Sequence, residues 1–191
     1  MIVMILGLVL FLGTHSLRIF AEDWRAARIQ QFGEKGWTGI VSLVSLVGFV
    51  LIVWGFGMAR AQPVVLWVPP GWTFHVNALF SLVAFVFLAA AYVPGNHIKA
   101  WVGHPMVIAV KAWALGHLLS NGSLADILLF GSFLVWAILS FRAARKRDAL
   151  QGSTPAAANL KADAITVAAG LAGYLAFVFF LHMWLIGRPV M

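Results

Sequence analysis

The chain has 191 residues, 62% of them hydrophobic and only 10% charged, against roughly a quarter charged in a soluble globular domain. Its net charge of +7 does not mark a nucleic-acid binder, because the basic residues sit in short linkers between apolar runs rather than on one solvated face. With no cysteine present, disulfides, zinc fingers, thiolate-ligated haem and iron–sulfur clusters are excluded.

The apolar runs approach the twenty or so residues that a helix needs to cross about 30 Å of hydrocarbon. They do not alternate polar with apolar positions as barrel strands would. Lipid offers backbone amides no partner, so each run is expected to be helical. The prediction is an all-α integral membrane bundle of six transmembrane helices, forming a single domain over residues 1–191.

Met1–Leu17 is the first span. It lacks a basic leader and a small-x-small cleavage site before Arg18, and so reads as retained rather than as a signal peptide. Arg18–Gly36 mixes charges with Trp24, Ile29 and Phe32, a composition that either continues the first helix or lies amphipathically at the interface. Trp37–Met58 is the second span, with Ser42, Ser45 and Gly48 recurring every three residues as a close-packing stripe. Ala59–Trp72 carries Pro63, Pro69, Pro70 and Gly71, which predicts a stiff non-helical turn.

Thr73–Val93 is the third span, with His75 and Asn77 near its start, and Pro94-Gly95-Asn96-His97 follows as a loop with a solvated histidine. His104 and Pro105 stand at the mouth of the fourth span, Gly103–Asn121, the least apolar of the six because it holds Lys111 and His117. Ser120-Asn121-Gly122-Ser123 reads as a tight hairpin into Ser123–Phe141, with Ser123 as N-cap and Asp126 one turn in. Arg142–Lys161 begins basic and continues through Gln151-Gly152-Ser153-Thr154-Pro155, the segment expected to be most mobile. Ala164–Gly187 is the last span, with Ala169 and Gly173 as a small-xxx-small pair and His182 near its end.

Charge predicts the orientation. Arg18, Arg25, Arg28, Lys35, Lys99, Arg142, Arg145, Lys146, Arg147 and Lys161 fall in the odd-numbered linkers, whereas the opposite side holds only Arg60 and Arg188. The positive-inside bias then places both termini outside the cytoplasm, which is periplasmic if the membrane is a bacterial inner membrane.

Ionisable groups at membrane depth are costly and usually face the bundle interior. His15, His117 and His182 lie on three separate spans with no chain of carboxylates between them for proton relay. That pattern favours imidazole coordination of a common cofactor, and an apolar bundle without thiolates suits bis-histidine haem. His117 and His182 lie roughly 6–10 Å from one membrane face and His15 roughly 20 Å, so depth pairs His117 with His182. Trp113, His117 and Asn121 share one helix face, where an indole would flank a porphyrin and the metal-ligand candidates are His117, His15 and His182. Lys111 lies on another face, either snorkelling or pairing with an anion such as a haem propionate. Asp126 either orients a ligand imidazole or serves the start of its own helix.

The stretches Phe11-Leu12-Gly13-Thr14-His15-Ser16-Leu17-Arg18, Gly103-His104-Pro105-Met106, Lys111-Ala112-Trp113-Ala114-Leu115-Gly116-His117-Leu118-Leu119-Ser120-Asn121-Gly122 and Leu181-His182-Met183-Trp184-Leu185-Ile186-Gly187 resemble the NnrU family over nearly the whole chain. Members are bacterial multi-pass membrane proteins linked to nitrite and nitric oxide reduction in denitrification. They are similar to the 15-cis-ζ-carotene isomerases, membrane haem b enzymes whose haem-linked histidines would correspond to His15 and His117. The chain departs from the isomerase pattern R-H-P-Q, reading Gly103-His104-Pro105-Met106.

The resemblance implies a haem b protein of the inner membrane with an accessory, sensing or redox role in nitrogen-oxide reduction. A second reading is a haem-dependent cis–trans isomerase of a carotenoid or other polyene, an apolar substrate held among the helices. A third is a cofactor-free transporter or structural subunit.

Overall fold

The computed structural model describes residues 1–152 and 157–187. Ser153-Thr154-Pro155 of the fifth linker and Arg188 lie outside the described residues. Every predicted span is helical. The helices are α1 (Ile2–Phe20), α2 (Glu22–Ala61), α3 (Trp72–Tyr92), α4 (His97–Val102), α5 (Pro105–Ser120), α6 (Leu124–Gln151), α7 (Leu160–Ala176) and α8 (His182–Ile186), with a π-helical turn Phe177–Leu181 joining the last two. Among the described residues five helical segments are long and apolar enough to cross a membrane; α5, at 16 residues, is a shorter apolar helix. Its length of about 24 Å falls short of about 30 Å of hydrocarbon.

One linker differs from expectation and another gains detail. Residues 142–151 continue α6 rather than forming a mobile loop, because the run from Arg142 to Gln151 contains neither glycine nor proline to stop it. Arg18–Gly36 is helical but broken twice, at Ala21 (φ −140°, ψ 45°) and at Gly33 (φ 71°, ψ 162°). Only a residue without Cβ takes that Gly33 conformation without strain. The break folds residues 22–32 back, so that the Trp24 and Trp37 rings meet with centroids 5.8 Å apart. On a straight helix thirteen residues would separate them by about 20 Å.

The chain forms two compact units. The first comprises residues 1–67 and 122–140. Here α1 packs along α2, burying Met4, Gly7 and Leu8 against Gly48, Ile52 and Gly55. A Cβ on Gly48 would lie 2.8 Å from the Phe11 amide nitrogen, so backbone meets backbone with no room for a side chain. The expected stripe is therefore displaced: Gly48 belongs to it, Ser42 is exposed, and Gly7 and Gly55 complete it. The first part of α6 joins through Phe133 against Phe11 and Phe130 against Phe56. The stretch after Pro63 is extended rather than helical, and Val65 bridges Ser123.

Ser123 caps α6, as predicted. Its hydroxyl accepts from the Asp126 amide at 3.3 Å, and the Asp126 carboxylate accepts from both the amide (3.0 Å) and hydroxyl (2.6 Å) of Ser123. This reciprocal box satisfies amides that the helix itself leaves unpaired.

The second unit comprises residues 68–121 and 141–191, of which 141–152 and 157–187 are described. Around α3 pack α5 and α7. Gly116 approaches Asn77 and Phe80, and Gly170 approaches the Val86 backbone. Gly173 meets the Phe85 ring, but it is Gly170, not Ala169, that completes the close approach. Buried Asn96 caps α4 by accepting from the Lys99 amide at 2.7 Å, while its Nδ2 donates to the Ala90 carbonyl at 2.9 Å. Asn159 caps α7 by accepting from the Ala162 amide at 2.9 Å.

Candidate functional site

His15 is carried three turns into α1 and is half-buried in the first unit. Its ring stacks on Phe11, centroids 4.4 Å apart, and meets Trp136 edge-on at 6.1 Å. The Nδ1–H donates to the Phe11 carbonyl at 2.7 Å. A carbonyl oxygen only accepts, so this bond places the proton of a neutral imidazole on Nδ1 and the lone pair on Nε2.

His117, on α5 of the second unit, repeats the arrangement. Its Nδ1–H donates to the Trp113 carbonyl at 2.9 Å, and the two rings lie 5.4 Å apart. The donor again fixes Nε2 as the lone-pair nitrogen. Trp113 in turn rests on the buried alanines Ala84, Ala109 and Ala112, with Phe80 and Phe87 alongside. The indole is therefore packed, and it holds the imidazole in place through both ring and backbone.

His182 opens α8 directly after the π turn. Its backbone N–H donates to the Phe177 carbonyl, five residues back, and its ring sits edge-on to Phe177 at 5.7 Å. The extra residue of a π turn brings position i−5 where i−4 would stand in an α-helix. All three histidines thus share a face with an aromatic residue one turn earlier.

The remaining predicted residues have local partners. Asn121 donates from Nδ2 to the His117 carbonyl at 2.9 Å and to Ser120 Oγ at 3.1 Å, closing the end of α5. Lys111 Nζ lies 3.9 Å from the centroid of the Phe141 ring in the same unit, a cation–π contact. Asp126 is engaged by Ser123, as described, which selects the helix-start role for its carboxylate.

Two histidine–carboxylate pairs were not legible in the sequence. His97 is exposed, as expected, but its Nδ1 is 2.7 Å from Asp163 Oδ2 and its amide donates to Asp163 Oδ1 at 2.7 Å. His104 Nε2 is 2.9 Å from Asp148 Oδ2, with Arg145 3.9 Å from the same oxygen and the Phe141 ring edge-on at 6.3 Å. The partners are 66 and 44 residues apart in sequence, and no local pattern links them.

Among the described residues no three His, Cys, Asp or Glu side chains gather as a metal site. Haem asks less of a protein. The macrocycle supplies four nitrogens of its own, and the chain need present only one or two axial imidazoles. A neutral ring whose Nδ1–H is held by a carbonyl is the donor that such iron takes, and His15 and His117 both meet that condition.

Long apolar helices with ionisable groups at membrane depth define a multi-pass helical membrane protein. The family model described as NnrU protein matches residues 3–190, and the chain belongs to the NnrU family. No curated protein and no solved structure matches the chain.

Proposed function

We propose that the protein binds haem b in the bacterial inner membrane, with His117 as an axial ligand, and serves nitrite and nitric oxide reduction as an accessory, sensing or redox component. The observation that carries this reading is the Nδ1–H bond from His117 to the Trp113 carbonyl. It presets the tautomer that offers Nε2 to iron and restrains the ring before any ligand arrives. His182 lies in the same unit as His117 and stands against Phe177, so it is the candidate for a second axial position, while His15 has the same preset through Phe11 within the other unit. Bound haem would supply one-electron chemistry and exchangeable ligation at iron. The role in nitrogen-oxide reduction rests on family membership. Both termini outside the cytoplasm is the orientation favoured by the basic linkers.

The test is an absorption spectrum of the full chain, expressed with ample haem and recorded oxidised and then dithionite-reduced. Wild type is expected to show a Soret band with sharp visible bands on reduction. His117→Ala should lose haem or turn high-spin. His182→Ala should reproduce the change as the second ligand. A wild-type protein with no Soret band overturns the proposal. For the physiological role, a strain lacking the gene should recover nitrite-dependent growth with wild type and not with His117→Ala.

A further inference from the structure

In the first unit a groove of about 320 Å³ runs between α1 and α2, walled by Leu10, Gly13, Leu17 and Val41 and closed at one end by Trp24 and Trp37. That volume is at the small end of ligand sites, about 300–1,000 Å³, and takes a single slender chain. Gly13 forms a notch in the wall, because a Cβ there would meet no atom within 4 Å. The one hydroxyl in the lining is already committed, since Thr14 Oγ1 donates to the Leu10 carbonyl. Apart from the indole N–H groups of Trp24 and Trp37, the lining carries no other polar side chain, so the groove suits hydrocarbon.

The indole end is different. The paired indoles of Trp24 and Trp37 are residues that settle at the membrane–water boundary, and residues 22–32 are the amphipathic segment folded back there. Arg28 places its guanidinium carbon 5.6 Å from the Trp24 ring centroid. Its Nη1 donates to Gln31, while its Nε is buried with no hydrogen-bond partner. Arg25 is paired with Glu22 at 2.9 Å, so it is Arg28 that brings positive charge to the indole lining the groove. Arg18 follows Leu17 in the last turn of α1.

From an apolar trough ending at tryptophans and arginine we infer that this unit holds one anionic phospholipid, with an acyl chain lying along Gly13 and the headgroup phosphate at Arg28. Charge complementarity selects the anionic headgroup: a zwitterionic lipid fills the trough equally well but gains less at the guanidinium. The inference is independent of haem.

The experiment is native mass spectrometry of the full chain in detergent, titrated with phosphatidylglycerol and, separately, with phosphatidylcholine of the same acyl chains. Wild type is expected to retain one phosphatidylglycerol about fivefold more tightly, the equivalent of about 1 kcal/mol for one basic side chain at a charged surface. Arg28→Gln should remove that preference while leaving phosphatidylcholine retention unchanged. Gly13→Leu, which fills the notch, should weaken both lipids. Equal retention of the two lipids by wild type overturns the inference, as does a preference that survives in Arg28→Gln. Displacement of phosphatidylglycerol by inorganic phosphate alone overturns it too, since the site would then be one for free anions. If Gly13→Leu fails to fold by circular dichroism, the wild-type ratio and Arg28→Gln still decide.

Discussion

Gly7→Ala tests whether α1 and α2 are held by backbone contact. The added Cβ would stand 2.6 Å from the Ile52 nitrogen, 2.7 Å from the Gly48 oxygen and 2.9 Å from the Leu51 carbonyl carbon. All three are backbone atoms that no rotamer change can move. Restoring ordinary contact near 3.5 Å requires the helices to part by about 1 Å, and a gap of about 0.5–1 Å forfeits a quarter to a half of each dispersion contact. Overpacking of this kind costs about 1–3 kcal/mol, against a gain of up to about 1 kcal/mol from replacing a helical glycine with alanine. The expected net is a loss of up to about 3 kcal/mol. Gly57→Ala supplies the control, because a Cβ there meets nothing within 4 Å and only the propensity gain remains. Denaturation in detergent followed by circular dichroism measures both. If Gly7→Ala were as stable as Gly57→Ala, the close-contact account of the first unit would be wrong.

Asp126→Ala removes the carboxylate from the box with Ser123 and should cost about 1 kcal/mol of stability, with Asp126→Asn losing less because it keeps an acceptor oxygen. An Asp126→Ala protein of unchanged stability but altered haem spectrum would instead assign the carboxylate to a ligand imidazole. Asp163→Ala deletes the acceptor of both the His97 amide and ring. Hydrogen exchange at the start of α4 should then accelerate several-fold with α3 and α5 unaffected; unchanged exchange would mean that Asn96 alone holds the turn.

What could be read from the sequence is what depends on run length and local spacing. Hydrophobic runs near twenty residues located every apolar helix, and the Ser123-to-Asp126 spacing located a helix start, because both signals are contained within one element. Gly33 was not legible as a break: glycine occurs eighteen times in the chain, and only the backbone reveals which of them takes a positive φ. The packing stripe was displaced from Ser42 to Gly55 because spacing alone does not say which face of α2 meets α1. His97 with Asp163 and His104 with Asp148 depend on how α6 and α7 return to the α3–α5 connection, which is tertiary information. The Nδ1–H bonds are an intermediate case. Any histidine in a helix has a carbonyl four residues back, but use of that carbonyl depends on a side-chain rotamer that spacing does not fix.

That dependence bears on how the aromatic residues and the histidines act together. Phe11 precedes His15 by four residues and Trp113 precedes His117 by four, so on an α-helix each ring lies over its histidine and limits its rotation. Phe177 precedes His182 by five, which on a regular helix would carry it about 100° further around the axis and away from the imidazole. The π turn at Phe177–Leu181 takes up that residue and returns the ring to a centroid distance of 5.7 Å. Such π turns are rare inside α-helices and are frequent at functional sites. In α7 and α8 the deviation restores the aromatic–histidine pairing that regular geometry provides in α1 and α5. Ring restraint is thus common to all three membrane histidines, and at His15 and His117 it is joined by an Nδ1–H bond to the carbonyl of the same aromatic residue, so that one residue four positions back fixes both the plane and the tautomer of the imidazole.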